Sequence, residues 1–309
     1  MRFERFEAPG QPPLRWTCVA PAQPPRASVL VLPGRTEFLE KYEETLQRLA
    51  SRGLRAWALD LRGQGGSGRL LPDPQRGYVG AFDDYVRDVE RFVTHIVEPA
   101  LSKDEPLLFL GHSMGALVGL HLLRDLPTRF AAAALSAPLL GVHAPRALPG
   151  PLLGALARAL DRLGAGSAYV SGGPFGPAQR RFEGNPWTSD RARFAQDLAT
   201  LDANPNLILG GPTLRWLVAI LAGIRAAHSP GFLGALATPI LVVNAAQDRC
   251  VHAPAAARWA KLAPSATLLT LDRAEHELLR ERDEVRDQLW AAVDAFFEPH
   301  FMGNGNQSS

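Results

Sequence analysis

Cysteine is scarce in this chain of 309 residues: the two present, Cys18 and Cys250, match no C-x-x-C spacing and cannot build a disulfide framework. The fold therefore needs neither an oxidising compartment nor a structural zinc. No run of about 18 apolar residues occurs, which speaks against a transmembrane helix. The N-terminal Met1-Arg2-Phe3-Glu4-Arg5-Phe6-Glu7 alternates charge with aromatic side chains and lacks the apolar centre of a signal peptide. A cytoplasmic location is the resulting expectation. Charge of one sign is missing too: 33 basic against 31 acidic residues leave a net +2, with no nucleic-acid footprint. Nor is there an internal repeat or a low-complexity block. What is present, 46% apolar residues over this length, suffices for one large α/β domain with an insertion or for two small domains.

The most informative stretch is Gly111-His112-Ser113-Met114-Gly115. The apolar run Pro106 to Leu110 before it reads as a buried strand, and Ala116 to Arg124 after it as a helix packed on both sides. G-x-S-x-G in a strand–turn–helix context is a nucleophile elbow. Small residues flank the serine because the turn is strained and the helix packs close, leaving the hydroxyl exposed at the edge of the sheet. Five-residue patterns recur by chance, so the flanking strand and helix carry the argument. Ser113 is the expected nucleophile.

Around this elbow, strands and helices alternate. Residues 3–7 and 14–20 read as a leading pair of strands, Ser28 to Leu32 as the first buried strand, Tyr42 to Leu49 as a helix ending at Gly53, and Leu54 to Leu61 as a further strand. Gly63, Gly65 and Gly68 satisfy G-x-G-x-x-G, but Pro72 and Pro74 follow too soon for the helix that a dinucleotide site requires. The next helix is expected from an N-cap at Asp83 to Pro99, and Phe130 to Leu135 as a strand. From about 139 to 230 the alternation stops, leaving two amphipathic stretches, around Leu152 to Leu163 and Leu217 to Ile224. It resumes with strands Ile240–Val243 and Thr267–Leu271 and helices Ala255–Lys261 and Glu284–Phe297. The pattern predicts a core over 1–138 and 231–300, a cap over 139–230, and a disordered tail over 301–309.

A serine nucleophile needs a base and an acid that orients it. Asp248 follows the strand ending at Val243, and His276 follows the strand ending at Leu271. The order Ser, Asp, His is the order of α/β-hydrolases. Taken singly, Asp248 reads as a turn residue and His276 as a solvated loop histidine; their joint placement after successive strands makes the triad the favoured reading. His252 stands too close to Asp248 to be its partner, and His276-Glu277 cannot start H-E-x-x-H because position 280 is arginine. No metal or cofactor is implied.

Several segments together resemble the bacterial lysophospholipases, relatives of monoacylglycerol lipases in the α/β-hydrolase superfamily. They are Pro33-Gly34-Arg35-Thr36-Glu37 with Lys41-Tyr42, Asp60 to Gly65, Gly68 to Leu71, Asp83-Asp84-Tyr85, the elbow, Gly211-Pro212-Thr213 and His276-Glu277. The likeness spans about 29–297. It implies an α/β-hydrolase fold, a mostly parallel central sheet flanked by helices with an inserted, mainly helical cap. It also implies a Ser113–His276–Asp248 triad and an oxyanion hole formed by the backbone N–H groups of Met114 and Arg35. The proline at 33, where many lipase relatives have histidine, still permits a backbone donor. The expected activity is hydrolysis of monoacyl lipid esters, lysophospholipid or monoacylglycerol, through an acyl-enzyme and without a cofactor. Acyl transfer, aminopeptidase-like cleavage and a silent binding role remain alternatives, since fold and triad do not name a substrate. Residues 139–230 hold nine arginines, no lysine and five acids, a net +4 against −2 elsewhere. A basic cap with apolar helices suits peripheral contact with an anionic membrane surface, on the inner face for a cytoplasmic protein.

Overall fold

The computed structural model describes residues 1–143 and 150–301. Its frame is an eight-stranded sheet in the order β1-β2-β4-β3-β5-β6-β7-β8. The strands are β1 (Glu4–Phe6), β2 (Leu14–Val19), β3 (Ala27–Leu32), β4 (Leu54–Leu59), β5 (Leu107–His112), β6 (Ala132–Ser136), β7 (Ile240–Ala245) and β8 (Ala266–Leu271). From β4 through β8 every pairing is parallel, whereas β1 and β2 add an antiparallel edge. The central strands read as unbroken apolar runs because both faces of the sheet are covered. Strand alternation sorts their side chains: Leu30, Leu32 and Phe109 enter one core with Trp57 and Trp259, while Val29, Val31, Leu108 and Leu110 enter the other with Trp290 and Phe297.

The described α-helices are α1 (Glu43–Ser51), α2 (Phe82–Phe92), α3 (Ser113–Asp125), α4 (Gly150–Arg162), α5 (Arg191–Ala203), α6 (Leu214–Ala227), the short α7 (Pro230–Gly234), α8 (Ala253–Leu262) and α9 (Asp283–Phe297). Leucines and aromatics of α1 and α9 pack on one face; α2, α3, α6 and α8 pack on the other. None of the described helices is long and apolar enough to cross a membrane.

Two local expectations are revised, and the glycine loop acquires a structural role. The N-cap of α2 is Ala81, not Asp83: the Asp84 carboxylate accepts the Ala81 N–H at 3.0 Å, and Phe82 is drawn inward to pack on His121 with ring centroids 4.6 Å apart. The glycine loop after β4 wraps a carboxylate of the chain itself. Asp60 accepts the Gly66 N–H at 2.8 Å, and a Cβ at Gly65 would overlap that carboxylate. Finally, α5 forms in a stretch with little apolar periodicity, started by Asp190, whose side chain accepts the Arg193 N–H at 2.8 Å.

Between β6 and β7 the described residues add no strand to the sheet. They are not a detached layer, because Trp216, Ile220 and Ala227 of α6 are buried in the core shared with α2 and α3. Residues 144–149 of the expected cap lie outside the described residues, as does the expected tail except for Phe301, whose ring lies beneath the Arg26 guanidinium at 4.8 Å.

Candidate active site

The sheet changes winding direction beside β3: the chain moves from β3 to β4 on one side, then crosses to β5 on the other. Loops leaving the carboxyl ends of strands at such a point frame a crevice. The loop after β3 and the elbow after β5 meet there.

Ser113 has φ +50°, a left-handed conformation that only surrounding packing can hold in a non-glycine residue. That packing is close. A Cβ at Gly111 would lie 2.8 Å from Ala116 Cα, and one at Gly115 would lie 2.7 Å from the Leu32 carbonyl carbon. Both flanking positions are glycine because backbone already occupies the space.

The turn brings Ser113 Oγ to 2.9 Å from His276 Nε2, and His276 Nδ1 lies 2.7 Å from Asp248 Oδ2. Burial pushes the Asp248 carboxyl upward, but the hydrogen bond and charge of His276 and the N–H groups of Val251 and Cys250 outweigh it. Its ionisation falls below the ordinary range. The carboxylate is oriented by those two N–H groups, which donate to Oδ1 at 2.9 and 2.8 Å. Nδ1 therefore carries the proton toward Asp248, and Nε2 faces Ser113 as an acceptor. Asp248, Cys250 and His276 place donor atoms within 4.8 Å of one another. The cluster makes a poor metal cage, since the Asp248 and His276 atoms bond each other and burial and the Asp248 charge push the Cys250 thiol up into its neutral form.

Of the two expected oxyanion donors, one follows Ser113 in the chain and the other belongs to the loop that abuts the elbow. The Met114 N–H lies in the first turn of α3, where no helical carbonyl precedes it. Arg35 stands in the loop after β3, which abuts the elbow: a Cβ at Gly34 would come 2.9 Å from His112 Cδ2 and 3.2 Å from Ser113 Cβ. This loop is braced on both sides. The Gly34 N–H donates to the Glu37 carboxylate, and Gln64 Nε2 donates to the Gly34 carbonyl at 2.6 Å.

Two features were invisible to motif reading. His112, within the elbow, forms a wall against His276, their rings 4.7 Å apart. Burial and the neighbouring His276 push it down to about 3, so it is neutral and donates from Nδ1 to the Ser136 carbonyl at 3.1 Å. Second, pattern alone assigns no role to Glu37, Lys41 and Glu277. In the structure Lys41 Nζ lies 2.6 Å from Glu277, 3.4 Å from Glu37 and 3.5 Å from Asp197. The i,i+4 spacing of Glu37 and Lys41 was the one legible signal.

A cavity of about 260 Å³ abuts the loop after β3 and Glu277, the residue after His276; it is lined from the body by Arg35, Phe38 and Lys41 and from the insertion by Phe175, Phe194 and Leu201 among others. It lies between the loop after β3 and the segment that interrupts the sheet.

Residues 23–283 match the family model described as serine aminopeptidase, S33. The chain belongs to that family. It is 32% identical to lysophospholipase L2 of Escherichia coli K12, over 91% of this chain and 83% of that protein. It is 27% identical to the monoacylglycerol lipase of Mycolicibacterium smegmatis, over 76% of this chain and 74% of that one. Among solved structures, the monoglyceride lipase of Saccharomyces cerevisiae, bound to a substrate analogue, superposes with a TM-score of 0.77. That pair covers 97% of this chain and 94% of the other at 18% identity, a likeness of fold. The fold is that of the α/β-hydrolases, as the sheet order and elbow suggest.

Proposed function

We propose that this carboxylic ester hydrolase acts on monoacyl lipid esters, lysophospholipid or monoacylglycerol, through Ser113, His276 and Asp248. The observation that carries the reading is the continuous chain from Ser113 Oγ through His276 to Asp248, at 2.9 and 2.7 Å. Ser113 attacks the ester carbonyl while His276 Nε2 takes its proton and passes it to the leaving alcohol. Asp248 keeps the imidazole in the tautomer that can accept. The N–H groups of Met114 and Arg35 stabilise the oxyanion, and water, deprotonated by His276, then releases the fatty acid from the acyl-enzyme.

The lysophospholipase and monoacylglycerol lipase relatives support the substrate class, and the aromatic and aliphatic cavity wall suits an acyl lipid. Residues 139–230 act as the cap over this cavity. Four cap arginines spend their charge on carboxylates: Arg180 on Asp202, Arg191 on Glu183, Arg215 on Asp161, and Arg193 on Glu44, Asp190 and Asp283. The peripheral membrane contact consequently falls to α4, where Leu152, Leu156 and Leu160 are 54%, 47% and 41% exposed at four-residue spacing, with Arg158 and Arg162 on the same helix.

A fluorophosphonate probe tests the chemistry. It is expected to label the wild-type chain at Ser113 and to leave Ser113→Ala unlabelled, with ester hydrolysis in that variant reduced by several decades. Hydrolysis near the wild-type rate in Ser113→Ala would overturn the mechanism.

A further inference from the structure

The cavity against the loop after β3 is lined by two cations in unlike situations. Lys41 is saturated, with Glu37, Asp197 and Glu277 all within 3.5 Å. Arg35 has no carboxylate partner among the described residues. Its Nη2 donates to the Gly210 carbonyl, its guanidinium carbon lies 5.3 Å from the centre of the Trp216 ring, and its Nε is enclosed without any hydrogen-bond partner. Burial pushes the guanidinium down to about 10, with no carboxylate nearby to offset it. A cation taken from water without a counter-ion is costly. A loop anchor would not need the charge, since one neutral donor could hold the Gly210 carbonyl. An arginine that lines a cavity and has donors to spare fits an anion brought by the substrate, and its planar fork matches phosphate oxygens.

Position specifies the anion further. In the proposed mechanism the main-chain N–H of Arg35 faces the scissile carbonyl, so its guanidinium lies one side-chain length from the reacting ester. In a lysophospholipid the phosphate stands one glycerol backbone from that ester. We propose that the Arg35 side chain receives the phosphodiester of a lysophospholipid, so that one residue addresses the ester through its main chain and the head group through its guanidinium. This assignment rests on the hydrolase reading above and selects lysophospholipid over monoacylglycerol within it. Phe38, Phe175, Trp187 and Phe194 line the same cavity, aromatic surroundings that suit a quaternary ammonium group attached to that phosphate.

The test compares kcat/KM for lysophosphatidylcholine and for monoacylglycerol of the same acyl chain, in neutral detergent micelles, using the full chain and its Arg35→Met and Arg35→Lys variants. The lysophosphatidylcholine to monoacylglycerol ratio is expected to fall about tenfold or more in Arg35→Met and by less in Arg35→Lys, with the change carried mainly by KM. A measurement on the wild type alone does not depend on either variant folding: glycerophosphocholine should inhibit monoacylglycerol hydrolysis competitively, and glycerol at equal concentration should not. An unchanged ratio in both variants, or no inhibition by glycerophosphocholine, would overturn the assignment. Inorganic phosphate inhibiting as strongly as glycerophosphocholine would overturn it in favour of a free-phosphate site. A wild-type chain that hydrolyses neither ester would overturn the hydrolase reading itself, a result distinct from an unmoved ratio.

Discussion

Lys41 and Glu277 form a buried ion pair at 2.6 Å that ties the loop after β3 to the residue following His276. Glu37 shares the same ammonium at 3.4 Å while accepting the Gly34 N–H and, at 2.6 Å, the Tyr42 hydroxyl. Arg280 adds a second cation through Asp197 at 2.7 Å. One network thus braces both the candidate oxyanion loop and the candidate base.

Lys41→Met should therefore be expensive. It removes the cation shared by three buried or nearly buried carboxylates and leaves their charge poorly compensated, a loss of about 3 to 5 kcal/mol. Denaturant unfolding measures the loss. Fluorophosphonate labelling of Ser113 should slow in parallel, because the Gly34 loop and His276 lose their common brace; a variant as stable as wild type would show the network to be dispensable.

The elbow makes a sharper steric prediction. Gly115→Ala places a methyl against the backbone of Leu32 and Pro33, atoms that cannot rotate away. The expected cost is about 1 to 3 kcal/mol, with a marked drop in turnover as the loop after β3 is pushed off Ser113. Thermal unfolding and ester hydrolysis read the two effects separately.

Acid sensitivity has an identifiable contributor far from the site. His121 on α3 lies between Phe82 and Phe232, with Nε2 donating to the Gly223 carbonyl at 3.0 Å, and burial pushes it down to about 4. Its folded value is depressed, so below about pH 6.5 the unfolded chain takes up a proton that the folded chain refuses. Stability from this residue is present above pH 6.5 and is lost as pH falls toward 4. His121→Leu should make the decline between pH 6 and 4.5 shallower by up to about 1.4 kcal/mol per pH unit. Urea midpoints at successive pH values give that slope, and identical slopes in the two proteins would refute it.

Membrane engagement through α4 is testable without touching the triad. Replacing Leu152, Leu156 and Leu160 with serine removes the exposed apolar stripe. Hydrolysis on anionic vesicles should fall several-fold while a soluble short-chain ester is cleaved at the wild-type rate. Added salt should reduce the wild-type advantage on anionic over neutral vesicles, because screening weakens the attraction of Arg158 and Arg162 to the surface.

The pattern of apolar runs and alternating segments was enough to place every strand within about two residues; the central strands, buried on both faces, leave an unbroken apolar run, and the edge strands β1 and β2 alternate. The elbow was equally legible: Gly111 and Gly115 flank Ser113 because close backbone approach admits no side chain, a constraint written in residue type. Asp248 and His276 could be ordered along the chain, but their approach to Ser113 depends on β7 pairing with β6 and β8 with β7, which brings Ser113 and His276 together across 163 positions. Helix α5 was missed because its amphipathic signal is weak and only Phe194 and Leu201 are buried. Beyond the i,i+4 spacing of Glu37 and Lys41, the Lys41 network had no sequence signature, and the lone Arg35 guanidinium had none. Whether a charge is paired depends on which distant carboxylates the fold brings within a few ångströms, so Lys41 acquired three partners and Arg35 none among the described residues. Local residue type determined the elements and the elbow; only the tertiary structure, which sets distances between residues far apart in the chain, decided which charges are paired around the site.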